Sequence, residues 1–429
     1  MRVLVLGASG FIGSAVTARL AADGHIVVAA SRGRGTVGLA AVERLHLDIS
    51  RATAIGDWLP PLQGVDAVVN CAGTLQDAPG DSTHGVHVAG IAALYEACER
   101  VGMRRVVHIS AVGVDKETPT AFSSTKLAAE RGLMSRDLDW VILRPSVVIG
   151  RPAYGGSAML RGLAALPVTP VMPDAGKLQL VHLDDLVATV AFFVQPQAPS
   201  RKAFDIVGPR RWPFVEVVRL LRRWLRRPPA RELAVPSWAS SLVYGAGDAV
   251  SLLGWRPPVR STAQAEIRRG AVGSSAAWTE ATGIRPRDIE NELAREPASV
   301  QEHWFASLYV LKPLVFGVFS LFWIATGLIS LGPGWDIGTS LVREGGLDET
   351  TAALMVVAGA LADILIGVAI LYRPTSRYGL YAALAISMTY AIVGTILVPR
   401  LWSDPLGPML KIWPIMVFNL VALAILEDR

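Results

Sequence analysis

Cysteine is almost absent: Cys71 and Cys98 are the two in 429 residues. That scarcity excludes a disulfide scaffold and a Cys-rich zinc or iron–sulfur site, and both thiols are expected reduced and half-buried. No metal site is expected. Charge is also scarce: Asp, Glu, Lys and Arg make up 18% of the chain, while hydrophobic residues reach 52%. A soluble globular protein averages roughly 45–50% apolar and about 25% charged. The balance excludes disorder and a coiled coil and argues against a wholly soluble protein. A net charge of +5 is too mild to imply nucleic acid. The length, 429 residues, predicts two or three domains. There is no internal repeat and no low-complexity tract.

The apolar excess is concentrated beyond Ala306. Leu314–Leu331, Tyr378–Val398 and Ile412–Leu426 contain no charged residue, and Thr351–Tyr372 contains one, Asp363. Runs of about 18 or more apolar residues read as membrane-spanning helices, so a four-helix bundle is expected. The last run is the weakest, with Pro414 near its start. Asp363, deep in the second run, needs an interior partner; Asn419 in the fourth run is expected to supply it, with Thr326, Thr389 and Thr395 as weaker candidates.

The N-terminus reads as a nucleotide-binding unit rather than a signal peptide. Val3–Leu6 is a short, fully apolar run, as in a strand buried on both faces of a parallel sheet. Gly7-Ala8-Ser9-Gly10-Phe11-Ile12-Gly13 follows, then a helix-like stretch from Ser14 to Ala22. Glycines at this spacing, between strand and helix, permit a tight turn, close backbone approach to a pyrophosphate and helix-on-strand packing. A second strand, His25–Ala30, ends in Ser31-Arg32-Gly33-Arg34, which contains no acid. Arg32 and Arg34 suit a ribose 2′-phosphate, so NADP is expected ahead of NAD, which stays possible; solvated loop arginines are the plain alternative. Apolar runs recur at Arg44–Leu47, Ala67–Asn70, Arg105–Ile109 and Trp140–Leu143 with helical segments between them, a doubly wound α/β pattern.

On these residues the first part of the chain, to about residue 210, resembles the extended and atypical short-chain dehydrogenase/reductases. Gly7, Ser9, Gly10, Phe11, Ile12 and Gly13 fit the glycine fingerprint, Asp48 the adenine-contacting acid, and Asn70-Cys71-Ala72-Gly73 the loop after the fourth strand. Leu143-Arg144-Pro145-Ser146 and His182-Leu183-Asp184-Asp185 fit two further signatures. The resemblance implies that Ser110 helps hold a substrate carbonyl and that Lys126 binds the nicotinamide ribose, with Arg32, Arg34, Asp48, Ala72 and Gly73 around the dinucleotide. One position departs. The family's catalytic tyrosine, four residues before the lysine, is Phe122 here, which transfers no proton. Tyr154, in a following loop, is a donor that nothing in the sequence places. Some atypical members, including a nucleotide-binding accessory subunit of respiratory complex I and redox-sensing regulators, bind NADP without a demonstrated turnover role. Residues 306–429 are similar to the DoxX-like membrane family, which implies membrane redox chemistry and quinones.

The expected architecture is therefore a doubly wound parallel-sheet Rossmann domain over residues 1–208, a basic, partly interfacial helical connector over 209–305, and an all-α bundle with four transmembrane helices over 306–429. Val215–Arg227 is a basic amphipathic stretch. It reads as a helix lying on anionic lipid, as a nucleic-acid contact, or as a helix packed on the sheet. With no nucleic acid expected, the partners are a dinucleotide, the lipid bilayer, and a quinone or a membrane redox protein. The expected location is the cell inner membrane, with the N-terminal domain and C-terminus in the cytoplasm. Two functions fit. One is an oxidoreductase passing reducing equivalents to a membrane-soluble acceptor; the other is a dinucleotide-binding sensor or assembly factor, which Phe122 favours.

Overall fold

The structure is a computed structural model that describes residues 1–33 and 41–427; Arg34 lies outside the described residues. The chain forms two compact units, Met1–Ala249 with Pro257–Ala306, and Val250–Arg256 with Ser307–Arg429.

In the first unit, β1 (Arg2–Leu6), β2 (Ile26–Ser31), β3 (Val42–His46), β4 (Ala67–Asn70), β5 (Arg105–Ile109) and β6 (Asp139–Pro145) form one sheet. The strand Lys202–Ile206, which no apolar run signalled, adds a seventh edge strand, giving the order Lys202–Ile206, β6, β5, β4, β1, β2, β3. Every pairing in it is parallel. Alternation along β1 fills both faces: Val3 and Val5 pack with Val16 and Leu20 of α1 (Phe11–Ala22), and Leu4 and Leu6 pack with Trp58 and Leu94. Strand order reverses between β1 and β4. A crevice therefore opens beyond the carboxyl ends of these two strands, where doubly wound sheets bind ligands.

The stretch expected as a connector packs within this same unit as far as Ala249 and again from Pro257. The helix Phe214–Trp224 buries Phe214, Val217, Val218 and Leu221. Its arginines are committed to protein groups. Arg222 donates to the carbonyls of Ala164, Leu166 and Pro228, and Arg219 pairs with Glu216 and Glu232.

Val300–Leu331, which enters the second unit at Ser307, and Glu349–Leu371 and Ser376–Leu397 within that unit are long and apolar enough to cross a membrane. The fourth run forms the helix Ile412–Ile425, whose 14 residues span about 21 Å, less than the ~30 Å hydrocarbon core. It nonetheless returns the chain: Leu426 O accepts from Arg373 and Lys312, and Glu427 pairs with Arg377 at 2.8 Å. The end of the fourth helix thus lies beside the start of the first and the link between the second and third. An amphipathic helix, Trp335–Glu344, which the sequence reading lacked, follows the first span.

Asp363 is buried, as a spanning carboxyl requires, but its partner is Tyr390, whose hydroxyl donates to Oδ1 at 2.9 Å. Asn419 instead donates to Leu380 O at 3.0 Å. Leu380 and Tyr390 lie ten residues apart on one helix, about 15 Å along its axis, which is why Asn419 does not reach the carboxyl. Tyr390→Phe leaves that buried group without its donor and is expected to destabilise the bundle by about 1–3 kcal/mol. Adding Asp363→Leu is expected to recover most of that loss, as read by thermal unfolding in detergent.

Candidate dinucleotide site

The crevice is built around glycines that no other residue replaces. Gly7 has φ +70°, and a Cβ there would lie 2.9 Å from the backbone of Ala72, in the turn after β4. A Cβ on Gly13 would lie 2.1 Å from Gly7 O. The two turns therefore touch backbone to backbone, and Ser9, Gly10, Phe11 and Ile12 carry the chain into the N-terminus of α1. That terminus offers unpaired N–H groups and a positive dipole end to a pyrophosphate. Such a glycine cradle fits a dinucleotide.

At one end of the crevice lie the tips of β2 and β3. Asp48, just beyond β3, accepts from Ser50 N–H at 3.1 Å and Ser50 Oγ–H at 2.7 Å, which fixes its carboxylate. Arg32, just beyond β2, does not stand free: it pairs with Asp81 at 2.7 Å.

At the other end Lys126 is buried, and its Nζ donates to Ile109 O at 2.8 Å and Ala72 O at 3.2 Å. Burial pulls its pKa down to about 8, against the opposing pull of Cys71 and Glu130. Ser110 follows Ile109, and its buried hydroxyl has no partner among the described residues. Gly73 faces the same ammonium: a Cβ there would lie 3.4 Å from Nζ. Ser110, Lys126, Ala72 and Gly73 are thus brought together at the foot of the glycine turn, while Arg32 and Asp48 stand at the far end.

Phe122 lies one helical turn before Lys126, with its ring edge-on to His87, centroids 5.9 Å apart. His87 was not legible in the sequence; it sits in a π-helical turn that no pattern marks. Its Nε2 accepts from Thr74 N–H at 3.1 Å, so the ring proton sits on Nδ1, 2.8 Å from Thr125 Oγ1. Burial, reinforced by the Lys126 charge, lowers its pKa to about 2, so it stays neutral and donates no proton to a substrate near pH 7. A second network was also missed. Ala72 N–H fixes the Asn70 amide, which with Tyr95 OH contacts His108 Nδ1 at 3.0 and 3.1 Å. Tyr154 is exposed and stacks on Phe11 at 6.3 Å, over the glycine turn rather than beside Lys126.

Comparison with known proteins agrees with this geometry. The NAD(P)H-binding family matches residues 7–164 and the DoxX-like family residues 320–420. An uncharacterized protein of Mycobacterium tuberculosis is 31% identical over 185 residues, 43% of this chain but only 19% of its own length. The ceramide reductase of Caulobacter vibrioides is 23% identical over 67% of this chain and 97% of its own. Among solved structures, the UDP-glucuronic acid 4-epimerase of Bacillus cereus, bound to UDP-glucuronic acid and NAD, aligns with TM-score 0.53 and 16% identity. That alignment covers 72% of this chain and 99% of the epimerase. The chain therefore carries a Rossmann-fold domain that matches the NAD(P)H-binding family, fused to a C-terminal DoxX-like domain with helices able to span a membrane.

Proposed function

We propose that this protein is a membrane-anchored NAD(P)(H)-dependent oxidoreductase that passes reducing equivalents to a membrane-soluble acceptor, a quinone or a lipid carbonyl. The observation that carries this reading is the buried Lys126, bonded to the carbonyl of the residue before a buried Ser110, at a dinucleotide crevice in one chain with a membrane domain. The ceramide reductase relative supports a lipid acceptor. When bound, the reduced nicotinamide supplies a hydride. The chain's own groups bind and orient. The Ser110 hydroxyl, which has no partner among the described residues, donates to an acceptor oxygen. Two of the three Lys126 N–H bonds are held by Ala72 and Ile109, leaving the third for a ribose hydroxyl. Phe122 has no proton to give and His87 is held neutral, so the Lys126 ammonium, or water, is the source of the proton that completes reduction.

The chain supports an orientation. Lys312, Arg373 and Arg377 gather at the end where the first span begins and the fourth helix ends. Arg343, Arg400 and Lys411 lie at the opposite end, so the positive-inside rule adds little, and it is the dinucleotide domain preceding the first span that supports a cytoplasmic side for this end at the inner membrane.

A specific observation, Phe122, favours a second reading: a dinucleotide-binding sensor or assembly factor without turnover. The two separate in an anaerobic assay of the full-length protein in nanodiscs, with NADH or NADPH and either a quinone or a long-chain lipid ketone. Oxidation of the cofactor is the expected result; tight binding without oxidation decides for the sensor. In the same assay Phe122→Tyr, which restores a phenol one turn before Lys126, is expected to raise carbonyl reduction at least roughly tenfold. Dinucleotide affinity is expected to fall roughly 3–10-fold as pH rises through about 8. The neutral amine keeps only two N–H bonds, both directed at backbone carbonyls. Lys126→Met is expected to flatten that profile, as measured by cofactor fluorescence titration.

A further inference from the structure

The tip of β2 has no acid in its own sequence, yet the fold brings one there. Ala78-Pro79-Gly80-Asp81 forms a tight turn in which Asp81 N–H donates to Ala78 O at 2.8 Å and Gly80 has φ +82°. Proline followed by a left-handed glycine is the signature of a type II turn, so Asp81 is presented rigidly. The base of the turn is fastened as well. Thr83 N–H donates to Asp77 Oδ1 at 2.6 Å, and Arg260 Nη2 to Asp77 O at 2.8 Å. The Asp81 carboxylate, whose side chain is only 6% exposed, then meets Arg32 Nη2 at 2.7 Å, and Gly80 O accepts from Arg32 Nη1 at 3.0 Å. The guanidinium expected to receive a 2′-phosphate is thus already held along one edge by a carboxylate 49 residues and a carbonyl 48 residues further along the chain.

We propose that Asp81 is a cofactor-selectivity residue, which restrains Arg32 and favours a ribose 2′-hydroxyl over a 2′-phosphate. The proposal rests on the dinucleotide-binding reading of the crevice. The buried Asp81 carboxylate acts through Arg32, whose guanidinium it holds along the edge that a 2′-phosphate would need, while a ribose 2′-hydroxyl makes no such demand. The phosphate of NADP(H), with a charge of about −1.5 to −2, gains the guanidinium only by displacing that carboxylate. Asp81 therefore opposes the NADP preference that Arg32 alone implies.

The test is a double-mutant cycle on the full-length protein in nanodiscs, with NADH and NADPH dissociation constants measured for wild type, Asp81→Asn, Arg32→Ala and the double variant. Asp81→Asn keeps the shape and removes the charge, and is expected to raise the affinity ratio of NADPH to NADH roughly tenfold. That gain is expected to vanish in the double variant, because it acts through Arg32. An unchanged ratio in Asp81→Asn overturns the proposal, as does a gain that survives without Arg32. If Asp81→Asn does not fold, Asp81→Ser is measured in the same way. Failure of wild type to bind either dinucleotide overturns the reading of the crevice itself, a result distinct from binding both with an indifferent Asp81.

Discussion

The backbone contact between the turns after β1 and β4 is the constraint on which the rest of the first unit depends. Gly7 lies against Ala72 and Gly13 against Gly7 at distances that leave no room for a side chain. That approach seats the N-terminus of α1 at the point where strand order reverses, and it aligns the carbonyl of Ala72 to accept from Lys126. One contact thereby connects the glycine turn with the buried Lys126. A methyl group at Gly13 would push the helix from the strand and disturb both, so the glycines act through geometry that is global to the site.

Burial then sets the chemistry. The Lys126 ammonium and His87 are buried and Cys71 is half-buried within the same few turns, and each shifts toward its neutral form. Lys126 falls to about 8, His87 to about 2, and the Cys71 thiol rises to about 12. This ordering separates their roles. His87 is a neutral spacer fixed by Thr74 and Thr125, Cys71 is an inert thiol, and Lys126 alone among the three changes charge near physiological pH. Phe122, one helical turn before that lysine, brings an apolar ring and no titratable proton to the same place.

The membrane unit follows a different logic, because lipid is as apolar as the helix surfaces and gives no hydrophobic reason for helices to meet. Close approach and interior polar bonds take over. Ser320 Oγ donates to Gly367 O at 2.7 Å across two spans, at a point where a Cβ on Gly367 would lie 2.7 Å from Ser320 O. Asp363 and Tyr390 form a second crosslink. Both bonds join neighbouring spans through buried side chains, Ser320 and Asp363, and they fix helix rotation.

Features written in local pattern were legible from the sequence alone. The apolar runs of β1, β4 and β5, the glycine spacing and the long apolar segments each depend on residues within a few positions of one another, as strand alternation, turn sterics and bilayer thickness demand. Ser110 and Lys126 were legible only through resemblance to a family, and the structure sets them together by way of Ile109 O. What only the tertiary structure decided is which distant side chains meet. The edge strand Lys202–Ile206, the locked His87, the choice of Tyr390 over Asn419 and the arrival of Asp81 at Arg32 carry no local signal. Each depends on strand order, helix rotation and axial register, properties of packed elements that a one-dimensional pattern does not contain.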